Sequence, residues 1–333
     1  MPRPTILDVA AAAGVSRGTV SRVLNDSPRV SPRAKQAVEA AIKQTGYRRN
    51  PHAASLASGR NNAIAVLLTQ PQQELFDDPT FSRLLQGVSN GLSGTDIALV
   101  LLLAGTEEER RRTSRFLDSG HIDGVVHLSP HLADPMMDAL IGADIPVVLC
   151  GKLPEGVSDP RLWSITVTDR QGAVDAVNHL LERGSTRIGM IAGPADAPGS
   201  IERLSGFQEA LGERYDPSLV VHGDYAAESG RTGLAALLDA WPDIDAVFCA
   251  SDRMAAGAYE TALSRGLRIP EDLRVVGFDG HALGTRLRPA LTTIAQPIQE
   301  YGRAAVEMLL DATQGRLPGH RVFPTELVIR ASS

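Results

Sequence analysis

Arginine suits guanine recognition because its planar fork donates to O6 and N7 together, a contact of roughly 1–3 kcal/mol. Arg17 and Arg22 stand close together in the stretch Ser16-Arg17-Gly18-Thr19-Val20-Ser21-Arg22 and are the candidates for base reading. Phosphate contact and plain solvation are their alternative uses. Gly18 offers no side chain, so readout at that position is absent or passed to a neighbour. Ser16, Thr19 and Ser21 carry hydroxyls suited to backbone phosphates, which position a protein on a duplex without reading its sequence. Thr5, upstream of this stretch, and Asn25, just after it, complete the candidate DNA contacts.

The flanking residues predict the elements that would hold this set. Thr5 is an N-cap residue, with Asp8 three positions on to form a capping box. Ile6, Val9, Ala10 and Ala13 follow at helical spacing. Gly14 tolerates φ > 0 and marks the stop. Ser16 caps a second helix whose Val20, Val23 and Leu24 point inward, leaving Arg17, Gly18, Ser21 and Arg22 outward. Two short helices with a Gly-containing turn read as a helix-turn-helix, although an ordinary αα-hairpin has the same periodicity. Ser31-Pro32 opens a third helix with Ala34, Val38, Ala41 and Ile42 buried, ending at Gly46.

Charge separates this head from the rest. The chain carries a net −6, yet residues 1–60 hold ten basic against three acidic side chains, +7, and the remainder carries −13. A basic head on an acidic body is the footprint of a nucleic-acid-binding module on a larger unit. Cys150 and Cys249 each end an apolar run without a CxxC partner, so both are expected as buried thiols of a reduced, cytoplasmic protein. No signal-peptide core and no run of about 18 apolar residues occurs. The longest apolar run, Ile97 to Ala104, suits a buried strand. GxGxxG, P-loop and HExxH motifs are absent, and Ser129-Pro130 interrupts His127 and His131, so neither an enzyme nor a metal site is expected. Glu107 to Arg112 pairs acid with base at i, i+3 and reads as a solvated helix face.

Beyond residue 62 apolar runs alternate with helical patterns. Strands are expected at Ala63–Leu68, Ile97–Leu103, Gly124–Leu128 and Val147–Cys150, then at Ile165–Val167, Arg187–Ile191, Leu219–Val221, Ala246–Cys249 and Arg274–Val276. Helices fall near 80–92, 106–119, 133–141 and 170–183. Such alternation predicts parallel sheets covered on both faces, here two doubly wound α/β lobes with a cleft between them.

The run Asp8-Val9-Ala10, Ala13-Gly14-Val15-Ser16, Thr19-Val20-Ser21-Arg22-Val23-Leu24-Asn25, with Tyr47 to Arg60, closely resembles the LacI/GalR family of bacterial transcription regulators. Asp279 and Thr292-Thr293-Ile294-Ala295-Gln296-Pro297 extend that resemblance along the chain. It implies an α/β fold: a helix-turn-helix head over 1–49, a hinge over 50–61, and a periplasmic-binding-protein-like body over 62–333. Lobe 1 would take about 62–165 and 291–320, and lobe 2 about 166–290 and 321–333. In the hinge, Leu56 matches a residue that wedges into the minor groove, while Ala54 replaces a usual Arg.

The same resemblance places a small effector between the lobes, with Arg203 and Asp279 as donor and acceptor for adjacent sugar hydroxyls. Tyr225 would stack on the ligand, Gln296 would make a hinge-side contact, and Asp169, Ser251 and Asp252 would add polar groups. Phe76, Asp77 and Phe81 would close over it from the first lobe. Ser251 stands where many sugar-binding members have Asn, Thr168-Asp169 replaces Asp-Asn, and Gly151-Lys152 replaces an acidic start. Leu75 to Pro79 and Cys150 to Lys152 resemble actinobacterial regulators of glucan use. The expectation is a homodimeric repressor that reads near-palindromic operator DNA, responds to a saccharide, uses no cofactor or metal and does not enter membranes. A solute-binding protein, or a regulator answering to a nucleobase, is the alternative.

Overall fold

A computed structural model describes residues 4–24, 27–47, 61–71, 77–128, 131–153, 156–157, 159–316 and 319–333. The chain divides into two compact units, Met1–Asn61 and Asn62–Ser333.

Among its described residues the first unit has three helices: α1 (Ile6–Ala13), α2 (Arg17–Leu24) and α3 (Pro32–Thr45). Asp8 Oδ2 accepts from the Thr5 amide at 2.7 Å and the Thr5 hydroxyl at 2.8 Å, which secures the first turn of α1. Gly14 and Gly46, both at φ 65, end α1 and α3 in the left-handed conformation that only glycine enters without strain. Ser16 Oγ accepts from the Thr19 amide at 3.1 Å and Ser31 Oγ from the Ala34 amide at 3.3 Å, so both serines act as N-caps. Val9, Ala10, Val20, Val23, Val38 and Ala41 make one small core, with Ile6, Ala13, Leu24 and Ile42 packed around it.

The second unit contains two six-stranded sheets. The first holds β1 (Ala63–Leu68), β2 (Ala98–Leu103), β3 (Val125–Leu128), β4 (Val147–Cys150), β5 (Leu162–Val167) and β11 (Arg321–Phe323), in the order β11-β5-β4-β3-β1-β2. The second holds β6 (Ile188–Ala192), β7 (Val220–His222), β8 (Ala246–Cys249), β9 (Arg274–Asp279), β10 (Thr292–Ala295) and β12 (Glu326–Val328), in the order β12-β10-β9-β8-β6-β7. Every pairing is parallel except β10 with β12. Each sheet reverses its strand order, at β1/β3 and β6/β8, the switch point outside which doubly wound sheets bind ligands.

Helices cover the faces: α4 (Pro79–Gly91), α5 (Glu107–Asp118), α6 (Met137–Gly142) and α11 (Ile298–Thr313) on the first lobe, and α7 (Asp169–Glu182), α8 (Pro198–Leu211), α9 (Ala227–Ala240) and α10 (Asp252–Ser264) on the second. The central strands β3, β4, β6 and β8 are buried along their whole length, as two-sided coverage requires. The edge strand β2 departs from the expected burial, with Leu99 39% and Leu101 44% exposed. An edge strand has a neighbour on one side only, and here alternate side chains lack a covering helix.

The chain crosses between lobes three times, and the later crossings differ from the sequence expectation. β10 lies in the second sheet and β11 in the first, so those crossings fall at 296–297 and 324–325 rather than near 290 and 320. β5 stays in the first sheet to Val167, which puts the first crossing at Thr168. The crossings are laced together, since the Thr325 amide donates to Thr168 Oγ1 at 2.9 Å and the Thr168 amide to the Phe323 carbonyl at 2.9 Å.

Candidate functional site

On the head, Arg17, Gly18 and Arg22 are exposed on α2, with Thr19 and Ser21 half-buried beside them. Residues four apart stack on one helix face, so Arg17 lies above Ser21 and Gly18 above Arg22. A side chain at Gly18 would meet little, since its Cβ would have only Ser16 Oγ near it, at 3.7 Å. The hydroxyls of Ser16 and Thr19 are 3.0 Å apart, so both also brace the start of α2. Thr5, exposed at the start of α1, spends its amide and hydroxyl on Asp8. Asn25 and Leu56 lie outside the described residues.

In the body, the C-terminal ends of the strands surround a cavity of about 890 Å³ between the lobes. Its centre is Arg203 on α8, only 7% exposed. Arg203 Nε donates to Asp169 Oδ1 at 2.8 Å, Nη1 donates to the Ala250 carbonyl at 2.6 Å, and Nη1 stands 3.7 Å from Asp279 Oδ1. The guanidinium carbon lies 3.7 Å from the centre of the Phe278 ring and 5.8 Å from that of Tyr225. Burial opposes the guanidinium's charge, yet Asp169, Tyr225 and Asp279 more than restore it. Burial pushes the carboxyls of Asp169 and Asp279 above the ordinary range, with Arg203 pulling both back and His281 also lowering Asp279. The Tyr225 hydroxyl is pushed up to about 12, first by burial.

Local backbone geometry delivers these groups. Asp279 ends β9 at φ 113 and Tyr225 sits at φ 68, both in the left-handed half of the map that such residues rarely enter. Gln296 follows β10 at the second crossing and donates from Nε2 to Asp279 Oδ1 at 2.8 Å. The Tyr225 ring occupies the space over Gly193, where a Cβ would lie 2.4 Å from the ring. Asp169 opens α7 immediately after the first crossing.

From lobe 1, Asp77 and Phe81 line the same cavity, and Phe81 also packs on the first-lobe core. Phe76 lies outside the described residues. The structure thus brings together Asp77, Phe81, Asp169, Arg203, Tyr225, Asp279 and Gln296. It does not bring Ser251 and Asp252 to the cavity lining. Ser251 caps α10, accepting from the Met254 amide at 3.1 Å and donating to the Tyr225 carbonyl at 3.2 Å. Asp252 is fully buried and accepts from Thr293 Oγ1 and the His281 amide, both at 2.6 Å. Their hydrogen-bonding capacity goes to fixing the wall behind the site.

Sequence reasoning passed over several lining groups, among them Arg253, Glu202, Asp224 and His131. Some of these join the lobes: His131 Nδ1 is 3.0 Å from Asp196 Oδ2, the Leu132 amide donates to the Asp196 carbonyl at 3.0 Å, and Lys152 pairs with Glu202. Nothing in their spacing along the chain distinguishes them from solvated charges.

A helix-turn-helix unit carried on the same chain as a two-lobed cleft protein defines the class of ligand-responsive DNA-binding regulators. Comparison with known proteins makes that assignment specific. The model of the "Bacterial regulatory proteins, lacI family" matches residues 5–50, and that of the "Periplasmic binding protein-like domain" matches 177–333. The HTH-type transcriptional regulator CelR of Thermobifida fusca is 38% identical over 335 residues, covering 99% of this chain and 98% of its own. The HTH-type transcriptional repressor CytR of Escherichia coli (strain K12) is 35% identical over 339 residues, covering 99% and 96%. Among solved structures, a CelR–cellobiose complex matches with a TM-score of 0.79 at 38% identity, covering 99% of this chain and all of that one. The lac repressor dimer bound to operator and the anti-inducer ONPF matches with a TM-score of 0.85 at 27% identity, covering 99% of each.

The chain belongs to the lacI family of bacterial regulatory proteins. It is a DNA-binding transcription regulator, and the solute-binding and enzyme readings are set aside by relatives that match it from end to end. Among the described residues no helix is long and apolar enough to cross a membrane.

Proposed function

We propose that this regulator represses carbohydrate-use genes from the cytoplasm and changes its operator affinity when a neutral saccharide enters the cleft. The carrying observation is the buried Arg203 flanked by Asp169 and Asp279. Each carboxylate has an oxygen beyond the one that faces Arg203, and a polyol meets such a set with hydroxyls that both donate and accept.

Charge supports a neutral ligand. Asp77, Asp78, Asp169, Glu202, Glu209, Asp224 and Asp279 line the cavity against Lys152, Arg170, Arg203 and Arg253, an excess of three negative charges that repels phosphates and carboxylates. The cavity, at about 890 Å³, lies toward the upper end of the range for small-molecule sites. Together with the likeness to CelR, whose structure holds cellobiose, this favours a glucose-containing disaccharide over a single sugar or a nucleobase.

Operator binding falls to Arg17 and Arg22 in the major groove, with Ser16, Thr19 and Ser21 at phosphates. Two copies would read the two halves of a near-palindromic site, as half-site geometry demands of dimeric helix-turn-helix proteins. The exposed Leu99 and Leu101 on β2 offer an apolar strip for the second copy to cover. Calorimetric titration of the full-length protein with cellobiose, glucose and glucose 6-phosphate tests the ligand class. Cellobiose is expected to bind and the phosphate ester to give no heat; tighter binding of the phosphate ester would overturn the neutral-saccharide reading.

A further inference from the structure

Lobes that open and close are held by contacts made across the cleft. One such seam joins the start of α4 to the loop after β9 and to the start of α10. Thr80 Oγ1 lies 3.0 Å from His281 Nε2, Arg83 Nη1 donates to the Gly280 carbonyl at 3.4 Å, and Arg253 Nη1 stands 3.7 Å from Asp78 Oδ2. The Thr80–His281 contact is the shortest of the three.

His281 is 1% exposed and does not line the cavity. Its amide is held by Asp252 Oδ2 at 2.6 Å, so its backbone is fixed to the start of α10. Its second ring nitrogen, Nδ1, has no hydrogen-bond partner among the described residues and faces Asp279 Oδ2 at 4.0 Å. A carboxylate on that side favours the tautomer with its proton on Nδ1. Nε2 is then left to accept the Thr80 hydroxyl, since the environment of one ring nitrogen sets the role of the other. The imidazole therefore stands between the carboxylate of the candidate effector site and the opposite lobe.

We propose that His281 is a positioning residue that ties Asp279 to lobe closure, its ring latching lobe 2 to Thr80 of lobe 1. The proposal rests on the reading of Asp279 as an effector contact. A ligand that engages Asp279 then acts on the same ring that holds α4. The signal passes from the cleft to the first lobe through a side chain the ligand never touches.

The test needs no ligand. Cys150 lines the cavity and is 6% exposed, whereas Cys249 is fully buried and does not line it. Iodoacetamide alkylation of the ligand-free full-length protein, read at each cysteine by mass spectrometry, follows opening at Cys150 and general loosening at Cys249. Thr80→Val removes the hydroxyl at nearly constant volume and is expected to speed alkylation of Cys150 about three- to tenfold, as loss of one hydrogen bond would. Cys249 should not change. Thr80→Ser should keep the wild-type rate, and His281→Ala should accelerate Cys150 alone while adding less than twofold to Thr80→Val. The latch is overturned by an unchanged rate in Thr80→Val, by equal acceleration in Thr80→Ser, by effects that multiply in the double variant, or by parallel acceleration at Cys249. Because no saccharide is present, these results stand apart from the ligand reading, which the calorimetric titration decides.

Discussion

Arg203 is buried because its partners are. Removing the guanidinium leaves Asp169 and Asp279 facing each other across a gap without their cation, and breaking a buried pair in this way costs about 3–5 kcal/mol. Arg203→Ala is therefore expected to lower the thermal unfolding midpoint as well as to abolish cellobiose binding. Asp279→Asn keeps volume and the approach of Gln296, so it should lose ligand affinity by roughly 10–100-fold, on the scale of one charge-assisted hydrogen bond, with a smaller change in stability. Calorimetry of binding and of unfolding on both variants separates the two effects. Equal destabilisation by both would show that Asp279 serves the fold rather than the ligand. At this scale the sequence was readable for which side chains gather at the cleft, as for Arg203, Asp279 and Gln296. It was not readable for Asp252, whose partners are the His281 amide and the Thr293 hydroxyl, 29 and 41 positions distant, or for the bond from Ser251 to the Tyr225 carbonyl, 26 positions away. Nor was it readable for His281, whose meaning comes from Thr80 on another lobe.

Among elements, α2 is the clearest case of sequence carrying structure: its cap, its buried valines and its exposed arginines all lie where spacing puts them. Arg22→Ala is expected to cost about 1–3 kcal/mol of operator affinity while leaving cellobiose affinity unchanged, measured by fluorescence anisotropy and calorimetry on the same protein. An operator affinity within twofold of wild type would remove Arg22 from the groove. Strands β1, β4 and β8 also keep the bounds that their apolar runs predict, because a strand buried on both faces is a continuous apolar run. Helix α10 carries no such clear signal. In α10, Met254, Ala255, Gly257, Ala258, Tyr259, Thr261 and Ala262 are all buried, so small residues on several faces blur the single stripe that marks an amphipathic helix. The glycine in that run has a steric reason. A Cβ on Gly257 would lie 1.8 Å from the Ala227 carbonyl oxygen of α9, so Gly257→Ala must push two packed helices apart. Overpacking of this kind costs about 1–3 kcal/mol or more. The expected result is a midpoint lower by several degrees in differential scanning calorimetry, and an unchanged midpoint would mean that the α9–α10 contact is looser than described.

For the whole molecule, the two α/β lobes were legible from alternating strand and helix patterns, whereas the crossings were displaced because β10 opens on two threonines and β11 and β12 have three residues each, so none forms an apolar run. The division of charge, +7 before residue 61 and −13 after it, assigns DNA to one unit and leaves the other for the effector. A ligand shifts a two-state regulator only by its differential affinity for the two states, and moving it from mostly bound to mostly free takes on the order of 10⁴ in that ratio. Linkage is reciprocal, so operator DNA must change saccharide affinity by the factor by which the saccharide changes operator affinity. The most direct measurement is a fluorescence-anisotropy titration of an operator fragment recovered by in vitro selection, using wild type and Asp279→Asn, each with and without saturating cellobiose. Wild-type affinity is expected to move at least tenfold on adding cellobiose, while Asp279→Asn binds the fragment as wild type does without sugar and responds far less at a cellobiose concentration that just saturates the wild type. A wild-type titration that cellobiose leaves unmoved, or an Asp279→Asn response equal to wild type at the same sugar concentration, would contradict control of this operator head by the Arg203–Asp279 cleft.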